Sequence, residues 1–217
     1  MNLIFSTLSV IAFVPLVFLL LKIWKASKGG SLTFLYWAVA VSLFFIGYWT
    51  NFFYTNFNYP LSWFLPIAAA IGGIYVFFGV VWYGTDTRLF KFKRESIIRL
   101  KNTVLILTLF VVSLAAIFDF LGFLEIPLNV IGRGIQLIFW FFAIFFFWKI
   151  TKESKFIIQW VLIFLGALFS IPKITSFILL SLGMNGIISL IQLVSFLFEM
   201  GSWVLGLFIY AKRAGII

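Results

Sequence analysis

The chain has 217 residues, 64% of them hydrophobic and 10% charged, with a mean hydropathy of +1.19. A soluble domain is nearer half apolar and a quarter charged, so the composition excludes an ordinary soluble protein and points to a helical membrane domain. The formal net charge of +10 would suggest nucleic acid in a soluble chain, but these charges flank apolar runs, so anionic lipid headgroups are the expected partner and nucleic acid is not.

Cysteine and histidine are both absent. That removes disulfides, thiol nucleophiles and Cys/His zinc sites, together with the usual ligands of haem and copper. Neither a metal nor a cofactor is expected, and no catalytic constellation stands out.

The first apolar run covers residues 3–21 and contains Pro15. It has no basic leader and no small-residue cleavage site, and it runs into Lys22, Lys25 and Lys28. It therefore reads as a retained span rather than a cleavable signal. A loop with Gly29 and Gly30 leads to the second run, residues 32–50, where Ala38 and Ser42 form a small-xxx-small pair. Residues 51–60 carry no charge and are rich in Asn, Tyr and Phe, as in an interfacial loop with aromatic anchors. The third run, residues 61–83, has Pro66 near its start and a second small pair in Ala69 and Gly73.

Residues 84–102 form the longest polar segment. Arg88, Lys91, Lys93, Arg94, Arg99 and Lys101 stand there against Asp86 and Glu95. Residues 95–101 are expected to be helical and to continue into the fourth run, 103–124. No glycine-rich phosphate loop accompanies these bases, so they read as a cytoplasmic retention signal that meets lipid headgroups or a partner. In the fourth run Thr108, Ala115, Asp119 and Gly122 fall on one face. Glu125, Ile126 and Pro127 make a tight turn into the fifth run, 128–148, with Arg133 and Gln136 in its first turns. Lys149, Lys152 and Lys155 then precede the last two runs, 156–180 and 187–210, separated by Gly183, Met184, Asn185 and Gly186. Lys212 and Arg213 follow the last run.

The fold class this predicts is an all-α integral membrane protein, one polytopic domain over residues 1–217, with seven transmembrane helices and short loops. The bases fall after runs one, three, five and seven, and none follows runs two and six. The positive-inside rule then places the N terminus outside and the C terminus in the cytoplasm, in what is read as the plasma membrane.

The last two runs carry most of the unusual chemistry. Ser189, Gln192, Ser195, Glu199, Ser202 and Gly206 recur at helical spacing on the seventh. Gln159, Gly166, Ser170 and Lys173 do so on the sixth, where Pro172 is expected to kink a continuous helix. The two lines predict a packed helix pair with a polar seam. By rise per residue, Asp119, Arg133 and Lys173 share the outer third of the membrane, so Asp119 is expected to pair with Lys173 or Arg133. Glu199 lies about 10 Å deeper, with no base at its level. The ligand- or ion-binding candidates are therefore Glu199, Lys173, Asp119, Arg133, Gln192 and Ser195, in an outward-facing pocket among helices four to seven.

No motif of a specific family appears. Three classes of function compete. The first is a non-enzymatic module, sensor-like or an assembly subunit, acting through a membrane or cytoplasmic partner at the basic segment or tail. The second is a small-solute, ion or proton transporter or channel using the polar site. The third, a lipid- or peptide-directed enzyme, has the least support, because Asp119 and Glu125 are six residues apart and lie on different faces of a helix.

Overall fold

The structure is a computed structural model that describes residues 2–27, 31–57, 64–124, 126–155, 157–184 and 186–217, with backbone alone at 2–10 and 51–57. Lys28, Gly29, Gly30, residues 58–63, Glu125, Phe156 and Asn185 lie outside the described residues, and so do the readings that fell on them.

A backbone in hydrocarbon must satisfy its own N–H and C=O groups, and among the described residues seven helices do so. They are α1 (Asn2–Ala26), α2 (Leu32–Phe57), α3 (Phe64–Asp86), α4 (Arg94–Phe120), α5 (Leu128–Glu153), α6 (Ile158–Ser181) and α7 (Ile187–Arg213). The protein is an all-helical, multi-spanning membrane protein. Among the described residues six helices, α2 to α7, are long and apolar enough to cross a membrane.

Several helices outrun the apolar segments that announce them. α2 continues to Phe57, so residues 51–57, expected as loop, are helical. α5 reaches Glu153 and α7 reaches Arg213. A helix of 26 residues is about 39 Å long, against a hydrocarbon core of about 30 Å. Hydropathy marks where the lipid ends, whereas helical hydrogen bonding carries on through the interface. α4 starts at Arg94, in line with the expected helical stretch 95–101.

α4 departs from expectation at its other end. It stops at Phe120, short of 124. Gly122 takes φ +74°, and the Phe123 and Gly122 amides donate to the carbonyls of Phe118 and Asp119 at 2.9 and 3.1 Å. This left-handed turn closes the last helical carbonyls, and glycine adopts it without a Cβ clash. Gly122 therefore terminates α4 rather than extending its packed face. Pro172 sits within an unbroken α6, as expected.

Neighbouring contacts close six helices into a ring in the order α1, α2, α3, α5, α6, α7 and back to α1. α4 stays outside it, packed mainly on α3. The α3 line of small residues makes the α3–α5 contact possible: Gly73 faces the Gln136 backbone, and a Cβ on Gly132 would overlap Pro66. α6 and α7 approach as closely, because a Cβ on Gly166 would overlap the Trp203 indole.

The ring interior is filled mostly by aromatic side chains. Trp203 meets Trp37, Trp140 and Phe147 edge-on at centroid distances of 5.2, 6.3 and 5.7 Å. Further along, Phe13 stacks on Tyr48 at 5.5 Å and meets Phe196 edge-on at 5.7 Å. The basic segments gather at one end. Arg213 of α7 donates to Gln159 Oε1 of α6 at 2.8 Å, and Lys149 of α5 lies over the Phe90 ring of the α3–α4 loop at 5.2 Å.

Candidate functional site

The polar lines of α6 and α7 meet as the seam their spacing predicts. Gln159, Gly166, Ser170 and Lys173 are buried on α6, facing Gln192, Ser195, Glu199 and Gly206, buried on α7. At the centre the Lys173 ammonium forms an ion pair with Glu199 Oε2. Ser170, one turn before Lys173, donates to Glu199 Oε1 at 2.6 Å. The residues of this triad are buried, with Lys173 1% and Glu199 2% exposed. A charge so placed is costly to desolvate unless paired and hydrogen-bonded, and both conditions are met here.

This corrects two expectations. Glu199 does have a base, and it is Lys173. Asp119 pairs with neither Lys173 nor Arg133: it is exposed, and among the described residues it makes no ion pair. The buried face of α4 ends at Ala115. Ile117, Phe118 and Phe120 are exposed alongside Asp119, so every residue of the last turn of α4 is exposed among the described residues. The helical spacing of Thr108, Ala115 and Asp119 is correct, but α3 and α5 do not reach the last of them.

Arg133 is buried inside the ring, 1% exposed. Its guanidinium lies 4.4 Å from the Phe177 ring centroid and 5.6 Å from that of Tyr48, a cation–π sandwich between α6 and α2. It also interacts electrostatically with Glu199. Its Nη1 donates to Gln136 Oε1 at 2.7 Å. That bond fixes the amide and leaves the Gln136 Nε2 group as a donor. Gln136 Nε2, Arg133 Nε and, one turn on, Trp140 Nε1 are buried and find no acceptor among the described residues. A cavity of about 20 Å³ lies beside Trp140 and Glu199, lined also by Phe13, Trp37 and Met200. That is room for a single water next to the ion pair. Nearer the end of the ring, Asn129 Nδ2 donates to Ser181 Oγ at 2.7 Å and ties α5 to α6.

The six basic candidates of the α3–α4 segment separate into two groups. Arg94 binds Asp86 Oδ1 at 2.8 Å and lies over Trp82 at 5.9 Å. Lys101 sits against the Tyr36 and Tyr75 rings, at 4.7 and 5.5 Å. Arg88, Lys91, Lys93 and Arg99 are exposed.

Sequence reasoning missed Tyr48, Phe177 and Trp140 as neighbours of the charged residues. In a chain with 31 Phe, 9 Trp and 7 Tyr, nothing in the pattern separates a ring stacked on a guanidinium from one that faces lipid. Among the described residues no cluster of Asp and Glu is placed to hold a metal ion. Compared with protein-family models, curated proteins and solved structures, the chain matches none.

Proposed function

We propose that this chain is a non-enzymatic plasma-membrane protein with seven transmembrane helices, a sensor-like or assembly subunit. Its N terminus is outside, its basic end is cytoplasmic, and a partner meets it there at Arg88, Lys91, Lys93 and Arg99. One observation carries this reading: an ion pair, Lys173 with Glu199, is locked inside a closed ring of helices that aromatic side chains fill. A filled ring offers no solute path in this state, and a buried pair between two helices gives those helices two distinguishable arrangements, bridged and parted. The helices that would part, α6 and α7, bring Gln159 and Arg213 to the basic end, where the change is read.

The deciding experiment is purification from native membranes in mild detergent, with mass spectrometry of the retained proteins. A stoichiometric partner that is lost on neutralising Arg88, Lys91, Lys93 and Arg99 supports the reading. A protein that stays alone under every condition overturns it.

A second reading, ion or proton transport, has an observation of its own. Arg133 Nε, Gln136 Nε2 and Trp140 Nε1 line one face of α5 within the ring, and the last of them shares a cavity with Glu199. Flux into proteoliposomes of the purified protein, abolished by Glu199→Gln, would favour it over the first.

A further inference from the structure

At the basic end α4 and α5 both pack on α3 but touch each other only slightly, and a groove opens between them. Its volume is about 120 Å³. Phe77, Phe78 and Val81 of α3 form its floor, Ser96, Ile97 and Leu100 of α4 one wall, and Phe146 of α5 with Phe92 of the connecting loop the other. Phe92 and Leu100 are 49% and 55% exposed, so the apolar walls are open to the surroundings. Bases surround the mouth. Lys93 follows Phe92 directly, Arg99 is one turn from Ser96, and Lys149 is one turn from Phe146, its ammonium 5.2 Å from the Phe90 ring centroid. Lys93, Arg99 and Lys149 are exposed and make no ion pair among the described residues.

We propose that this groove binds an anionic phospholipid, with part of an acyl chain between α4 and α5 and the phosphate on Lys93, Arg99 and Lys149. The groove is too small for a whole drug-sized ligand and too short for a partner helix, whose face needs several turns of contact. A hydrocarbon segment fits its apolar walls. Lys93, Arg99 and Lys149 outnumber Glu95, the exposed acid that precedes Ser96, and complement a headgroup phosphate, as in basic pockets between membrane helices that select anionic lipids. The lipid shares Lys93 and Arg99 with the partner surface of the sensor reading, and binds whichever side of the membrane the basic end faces.

The test uses the full chain in detergent and native mass spectrometry with two short-chain probes, dioctanoyl phosphatidylglycerol and dioctanoyl phosphatidylcholine. The anionic phosphatidylglycerol is expected to bind at least about tenfold more tightly than the zwitterionic phosphatidylcholine. Leu100→Trp, which fills the groove, should weaken both lipids. The double variant Lys93→Gln, Lys149→Gln, on exposed positions that leave the fold intact, should remove the preference and keep the weaker binding. Equal binding of the two lipids by the natural chain would overturn the proposal. So would unchanged phosphatidylglycerol binding in the double variant. Full displacement of the lipid by millimolar inorganic phosphate would show a headgroup contact without an acyl site, and would overturn it as well.

Discussion

Lys173 and Glu199 lean toward each other along the membrane axis. Their helices run antiparallel, and every Cα–Cβ bond tilts toward the N terminus of its own helix. Lys173 is eight residues from the C-terminal end of α6, so its side chain slants back into the membrane. Glu199 is twelve residues, about 18 Å, into α7, and slants outward. Two Cα atoms that rise per residue places about 6 Å apart in depth thus bring their charged ends into contact, and Ser170 holds the carboxylate from the side. Counting residues gives the height of a Cα; the direction of the helix decides the height of the charge.

This pairing sets the first expectation. Glu199→Leu leaves a buried ammonium with no counter-charge and should cost about 3–5 kcal/mol of stability. Adding Lys173→Met removes the stranded charge and should recover at least half of the loss. Thermal retention of the monodisperse elution peak in mild detergent measures both. Equal losses in the single and double variants would mean that the two residues do not act as a pair.

Asp119 should behave in the opposite way. It is exposed in the last turn of α4 and makes no ion pair among the described residues, so Asp119→Asn is expected to change stability by less than about 0.5 kcal/mol. A large loss in the same assay would place a partner on it.

Close packing of α6 on α7 predicts a contrast between two glycines. A Cβ at Gly166 meets the Trp203 ring, and Gly166→Ala should cost about 1–3 kcal/mol. Gly201, on the other side of α7, has nothing within 4 Å of its added Cβ, so Gly201→Ala should be neutral or slightly stabilising. The pair of melting curves tests the interface without touching a charge.

Arg133→Lys keeps the positive charge but loses the planar group that lies over Phe177 and donates to Gln136. A destabilisation of about 1–2 kcal/mol is expected. If Lys is tolerated at no cost, the guanidinium geometry is irrelevant and charge alone matters at this position.

The orientation is open to a direct check, since the chain has no cysteine of its own. A Met184→Cys variant should react with a membrane-impermeant maleimide on intact cells, and Glu153→Cys should react only after permeabilisation. The reverse pattern would turn the molecule over and place the basic end outside.

Much of the fold is legible in the sequence because lipid imposes one solution on a long apolar run. The starts of α2, α5 and α7 fall where hydropathy puts them, and the polar lines of α6 and α7 meet as their spacing requires. Four things were not legible. Helix ends beyond the hydrocarbon, as at Phe57, leave no hydropathy signal. The exclusion of α4 from the ring depends on which faces other helices offer, and that took Asp119 away from the site assigned to it. The partner of Glu199 was hidden by treating side chains as points on an axis. The stack of Arg133 between Tyr48 and Phe177 has no spacing signature at all, because its members come from three helices.

The place of α4 outside the ring bears on how the chain enters a membrane. α3 and α5 are ring neighbours that run in the same direction, so no hairpin can join them. Their contact can form only after the chain has crossed back as α4 and returned as α5. During that interval α4 has only lipid and α3 beside it. Its composition suits such a wait: it has the highest mean hydropathy of the six candidate spans, 2.4, and the lowest burial, 11%. α3, at 72% burial, instead depends on neighbours that arrive later. A span that is stable alone thus holds the place until the ring can close behind it.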